Sequence, residues 1–93
     1  MVRVEFDPAK NLHNIRMRGL SFDLVLKLEW ETALAVEDTR KDYGERRFRV
    51  LGIIDGLLYA VVITPRSGNV RVISLRRASL KERSSYAKAI NKA

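Results

Sequence analysis

Between Arg47 and Arg76 the chain writes three apolar runs separated by two turn signals, and such a stretch constrains the fold more than any other feature of the sequence. Arg47 to Ile54 sets Arg47 and Arg49 against Phe48 and Val50 in a period of two, the pattern of a strand with one buried face. Asp55-Gly56 is a two-residue hairpin signal, and Leu57 to Thr64 is apolar enough for a central strand. Pro65-Arg66-Ser67-Gly68-Asn69 reads as a second turn leading into Val70 to Arg76. An antiparallel meander is the architecture these residues predict.

The flanks add helices. Val2 to Phe6 alternates like a strand, and Asp7-Pro8 supplies an N-cap followed by proline at the first helical position. A helix is expected over Pro8 to Arg18, with a partial apolar stripe of Leu12 and Ile15 joined by Met17 or Ala9, and Gly19 ends it. Ser21 is a second N-cap, and Phe22, Val25, Leu26 and Leu28 predict a second helix to about Glu29. Thr32 to Val36 fits either a strand or an extension of that helix. Glu37 to Glu45 is a polar loop around Asp42-Tyr43-Gly44. Ser79-Leu80-Lys81-Glu82 matches the capping box, in which serine and glutamate satisfy each other's backbone amides, so a final helix runs from Leu80 to Asn91. The class is α+β in one domain, residues 1–93, with no repeat or linker.

A chain of 93 residues with 46% hydrophobic content can bury one modest core. No run approaches the roughly 18 apolar residues of a membrane span, and Met1 to Phe6 lacks the apolar core of a signal peptide, so the expectation is a cytoplasmic protein without membrane contact. Without cysteine, and with His13 the sole histidine, neither disulfides nor a thiolate or multi-histidine metal site can form; no metal and no cofactor are expected. The net charge of +7 is lopsided. Residues 1–39 hold five basic and seven acidic side chains, whereas residues 40–93 hold thirteen and four. A basic half built from strands and a helix points to a polyanionic partner, because each phosphate neutralised releases condensed counterions.

Strand alternation puts Val72, Ser74 and Arg76 on one face and Arg71, Ile73 and Leu75 on the other. Arg47 and Arg49 also share a face. If that face is the one Arg76 occupies, three guanidiniums converge where they can bind a phosphate and stabilise charge building on it. The competing reading makes them surface partners of Asp42, Glu45 and Glu82. Arg77, Lys81, Arg83 and Lys88 lie along the start and exposed side of the last helix, placed to follow a phosphate backbone. Glu82, the only acidic residue after Asp55, is a candidate general base as well as a cap, and Tyr86 and His13 are further candidates for proton transfer. No glycine-rich phosphate loop, Ser-His-Asp set or paired carboxylates are present.

The order of short motifs resembles the BrnT family of type II toxins. Phe6-Asp7 with Lys10 and Asn14 is similar to the family's opening, and Gly19-Leu20-Ser21-Phe22 to its Gly-Val-Ser-Phe. Glu45-Arg46-Arg47-Phe48, Gly52, Ile63-Thr64-x-Arg66 and Arg71-Val72-Ile73-Ser74-Leu75-Arg76-x-Ala78, then Glu82-Arg83 and Tyr86, continue the likeness over nearly the whole chain. The resemblance implies a RelE-like fold, with an antiparallel sheet, two N-terminal helices and one C-terminal helix. It implies a metal-independent endoribonuclease that arrests growth, is neutralised by a BrnA-like antitoxin in a hetero-oligomer, and represses its own promoter by binding operator DNA in that complex. On this reading Arg47, Arg49 and Arg76 act on the scissile phosphate, Arg18, Arg66, Arg71, Arg77 and Arg83 hold the RNA, and Glu82, Tyr86 or His13 moves the proton. In one departure, Met17-Arg18 stand where the family usually has Lys-His, and an arginine with a pKa above about 12 is a poor acid at neutral pH. The alternative is a catalytically weak or inactive module that only partners the antitoxin on DNA. A ribosomal or RNA-chaperone protein is a third reading.

Overall fold

Asp55 and Gly56 both take positive φ, 49° and 80°, so the first hairpin closes through a two-residue turn whose twist matches that of its strands. The computed structural model describes residues 3–91; Val2, placed in the first strand by its sequence, lies outside them. The meander consists of β3 (Phe48–Ile54), β4 (Leu57–Arg66) and β5 (Asn69–Arg77). The second turn is tighter than expected, only Ser67-Gly68, because Pro65 and Arg66 stay in β4 paired with Val70 and Asn69. β3 begins at Phe48, opposite Ile63, so Pro65 has a strand neighbour on one side only, where a residue lacking an N–H is tolerated.

Two edge strands complete a sheet of order β1-β5-β4-β3-β2, with β1 spanning Arg3–Glu5 and β2 spanning Leu34–Glu37. The sheet is not purely antiparallel. β1 runs parallel to β5, pairing Val4 with Val70, as a strand joined through a helical connection can and a hairpin strand cannot. The ambiguous Thr32–Val36 segment divides: Thr32 closes a 3-10 turn, Trp30–Thr32, and the strand starts at Leu34.

The helix α1 covers Pro8–Arg18, with Asp7 accepting from the Ala9 amide at 2.9 Å and Gly19 ending it at φ 69°. Its predicted successor is a 3-10 segment, Phe22–Lys27, not an α-helix. The cause is the spacing of its apolar residues. Phe22, Val25 and Leu28 recur every three residues, which at three residues per turn puts all of them on one line. That line packs on Val50, Ile54, Val61, Ile63, Val72 and Leu75 to form the core, and Phe6 meets Phe22 edge to face at 5.7 Å. The second helix, α2 (Leu80–Asn91), starts at the predicted residue because the capping box forms: the Glu82 amide donates to Ser79 Oγ (3.1 Å) and the Ser79 amide to Glu82 Oε1 (2.8 Å). None of its residues is buried.

Candidate active site

All helical cover over the core lies on one face of the sheet, and the register shows what the other face presents. Val36, Arg49, Val62 and Ser74 form one row across β2, β3, β4 and β5, and Leu34, Leu51, Ala60 and Arg76 form the next. These two rows floor a groove of about 710 Å³. Lys81, Glu82, Ser85 and Tyr86 of α2 wall it, and Arg40 reaches it from the loop after β2.

This geometry depends on a bulge that simple alternation misses. Ser74 pairs with Val62 and Val72 with Ile63, leaving Ile73 as an extra residue in β5. Val72 is therefore not on the face of Ser74 and Arg76, nor Arg71 on that of Leu75. Val72 and Leu75 both enter the core, at 1% and 0% exposure, while Ser74 and Arg76 face the groove.

The groove brings Arg49 and Arg76 together but not Arg47. Arg47 precedes β3, donates to Glu45 (3.3 Å) and lies over the Tyr43 ring at 4.3 Å. Arg76 is held by a two-pronged contact with Glu82, at 2.7 and 2.9 Å. That guanidinium, with the Ser79 amide, lowers the Glu82 pKa to about 2, and Glu82 in turn raises that of Arg76. Arg49 has no carboxylate within ion-pair distance among the described residues, and neither does Lys81. An unpaired guanidinium rising from the middle of a sheet, facing a second one across an apolar floor, is a seat for an anion.

The other candidates scatter. Arg66 reaches Glu45 at 3.7 Å, and Arg71 reaches Glu5 at 3.8 Å. Arg77 lies over the ring of Tyr59, a core residue, on the side away from the groove. Arg83 is exposed on α2. Tyr86 lines the groove while its hydroxyl donates to the Thr32 carbonyl at 2.8 Å, which ties α2 to the start of β2. His13 and Arg18 lie apart, on α1, lining a second cavity. Among the described residues no three metal-ligating side chains come together.

Asp38 and Arg40 escaped the sequence reading, as did the structural role of Asn14. Buried Asp38 accepts from Arg40 Nε and Nη2 (both 2.9 Å) and from the Tyr43 hydroxyl (3.0 Å); Arg40 holds its carboxyl well below the usual range, and the loop is pinned beside the groove. Buried Asn14 donates to the carbonyls of Leu20 (2.9 Å) and Leu75 (3.0 Å), fixing α1 on β5. The sequence pointed away from it, because the expected apolar stripe of α1, Leu12, Ile15 and Met17, is exposed and the helix docks on its opposite side, where Asn14 is its one buried residue. Asp38 and Arg40 gave no signal beyond lying in a charged loop.

The sequence profile described as the ribonuclease toxin BrnT of type II toxin-antitoxin systems matches residues 6–82. The chain belongs to the BrnT family. In the solved structure of the Brucella abortus ribonuclease toxin BrnT, the match has a TM-score of 0.65 and 28% identity, covering 85% of this chain and 99% of that one. No curated protein matches the chain. The BrnT match takes in the groove floor, Arg49, Arg76 and Glu82, and stops short of Arg83 and Tyr86.

Proposed function

We propose that this BrnT-family chain is a metal-independent endoribonuclease whose reacting phosphate binds between Arg49 and Arg76. The observation that carries the reading is the unpaired Arg49 guanidinium, set across the groove from Arg76 on a rigid sheet. In the reaction the 2′-hydroxyl gives up its proton to water as its oxygen attacks the adjacent phosphorus, the bond to the 5′-oxygen breaks and that oxygen takes a proton from water, and a 2′,3′-cyclic phosphate and a 5′-hydroxyl result. Two fixed guanidiniums aid this by aligning the phosphate and by stabilising the charge on its non-bridging oxygens. Glu82, with a pKa of about 2 and both oxygens engaged, is a weak proton acceptor in this arrangement; it positions Arg76. Arg47, held outside the groove by Glu45, joins Arg66, Arg71 and Arg83 in holding RNA. A BrnA-like antitoxin restrains the toxin by covering this basic surface, and their complex represses its own operator.

Purified protein incubated with single-stranded RNA and a chelator tests the proposal. Cleavage to cyclic-phosphate ends should persist, and Arg49→Ala should lower its rate about 10²- to 10³-fold, as loss of one charge-stabilising donor does elsewhere. Intact RNA under these conditions would favour the second reading, a catalytically weak partner of the antitoxin on DNA. The three proton-transfer candidates support that reading: Glu82 is paired with Arg76, Tyr86 donates to Thr32, and His13 lines another cavity.

A further inference from the structure

β1 pairs with β5 only from Asn69 to Arg71, so beyond Arg71 the outer edge of β5 has no strand beside it. α1 takes that place, anchored through Asn14 to the Leu75 carbonyl. Between helix and strand lies a second cavity of about 400 Å³, lined by Lys10, His13, Asn14, Arg18, Ile73 and Ser74 among others. His13 and Asn14 lie three and four residues after Lys10, one turn along α1, and Arg18, a turn beyond Asn14, is aimed by a 3.2 Å bond from its Nη1 to Asn14 Oδ1.

Two observations make this cavity part of a longer track. First, among the described residues none of Lys10, His13 and Arg18 has a carboxylate within ion-pair distance, whereas Arg66, Arg71 and Arg76 all do. A recess with two cations and no counter-charge favours an anion. Second, Ser74 lines this cavity and the groove alike, and through Val62 it stands in the row that contains Arg49. Arg49 and Ser74 are two strand spacings apart, roughly 10 Å, and α1 begins just beyond.

We infer that RNA leaving the groove passes over Ser74 at the β5 edge and places a further phosphate in this second cavity, against Lys10 and Arg18 with His13 at the rim. The inference rests on the groove being the RNA site. The second subsite contributes affinity for longer strands, and it selects substrates whose backbone can bend around an edge: single strands rather than duplex.

The test is equilibrium binding of 2′-O-methylated oligonucleotides, which cannot be cleaved by in-line attack, at two lengths: a dinucleotide and a ten-residue strand. The exposed substitutions Lys10→Ala and Arg18→Ala, combined, should weaken the ten-residue strand on the order of tenfold and leave the dinucleotide unchanged. They should also flatten the dependence of log K on log salt by about 0.7, the contribution of the one single-strand phosphate contact that is lost. Lys10→Glu alone should show the same length selectivity, and circular dichroism checks that each variant folds. Equal binding of the longer strand by variant and wild type, or equal weakening at both lengths, overturns the subsite. Arg49→Ala separates the two ideas. If it weakens both oligonucleotides while the α1 variants weaken neither, the groove stands and the subsite falls; if it weakens neither, the groove reading falls.

Discussion

Arg47 and Arg49 differ by two positions in sequence and by their whole situation in the structure. The period of two was legible, and so was the wish of both arginines to share a face. What the sequence could not show was where β3 begins, because Glu45 and Tyr43 capture Arg47 through contacts of the loop and not of the ladder. Asn14 illustrates the converse, a polar residue whose burial serves structure. Its amide satisfies the Leu75 carbonyl on an edge that no strand covers, and Leu75 itself is wholly buried. Asn14→Ala should therefore destabilise the fold by about 1–3 kcal/mol, the cost of leaving a buried acceptor unpaired. Urea denaturation measures this, and a change below about 0.5 kcal/mol would mean that water replaces the bond at no cost.

At the level of elements, the sequence marks positions where backbone chemistry is local and misses those where packing decides. The start of α2 follows from Ser79 and Glu82 alone, and the turn at Asp55-Gly56 from its two residues. The bulge at Ile73 has no glycine or proline to announce it, yet it moves Val72 into the core and off the face of Ser74 and Arg76. The 3-10 segment was hidden for a related reason, since a spacing of three satisfies helical templates of either kind over so short a run. The residue that follows it, Leu28, packs over Gly52 in β3. A Cβ on Gly52 would meet Leu28 Cδ1 at 2.6 Å and Cγ at 3.1 Å, and Leu28 is itself buried. Gly52→Ala should cost about 1–3 kcal/mol through overpacking. The origin can be checked by a cycle with Leu28→Ala: the clash vanishes in the double variant, so the pair should cost less than the sum of the single changes.

Over the whole molecule, the basic excess is partly spent on ion pairs and partly displayed. Arg40, Arg46, Arg47, Arg66, Arg71 and Arg76 each meet a carboxylate, while Arg49, Lys81 and Arg83 meet none among the described residues. This division has a consequence in acid. Glu37, Asp38, Glu45 and Glu82 all have pKa values below their ordinary range: Arg46 holds Glu37 down, Arg40 holds Asp38, and Arg76 holds Glu82; at Glu45 burial opposes the shift, but Thr64, Arg47 and Arg66 together outweigh it. Carboxylates lowered in this way stay ionised in the folded chain at a pH where the unfolded chain has already bound protons. Their contribution is thus complete above about pH 4.5 and declines as pH falls below it, that of Glu82 being lost as pH passes through about 2. Protonation also removes negative charge from a chain with 18 lysines and arginines against 11 acids, so self-repulsion grows over the same range. The melting temperature should be nearly flat from pH 8 to 5 and drop steeply below 4.5. Scanning calorimetry across that series checks it, and in Glu82→Gln the drop should be shallower because one of the lowered groups is gone. Salt separates the two causes: raising it from 0.1 to 1 M shortens the screening length from about 10 to 3 Å, so a melting point at pH 3 that recovers in salt identifies repulsion as dominant, and one that does not assigns the loss to the broken pairs.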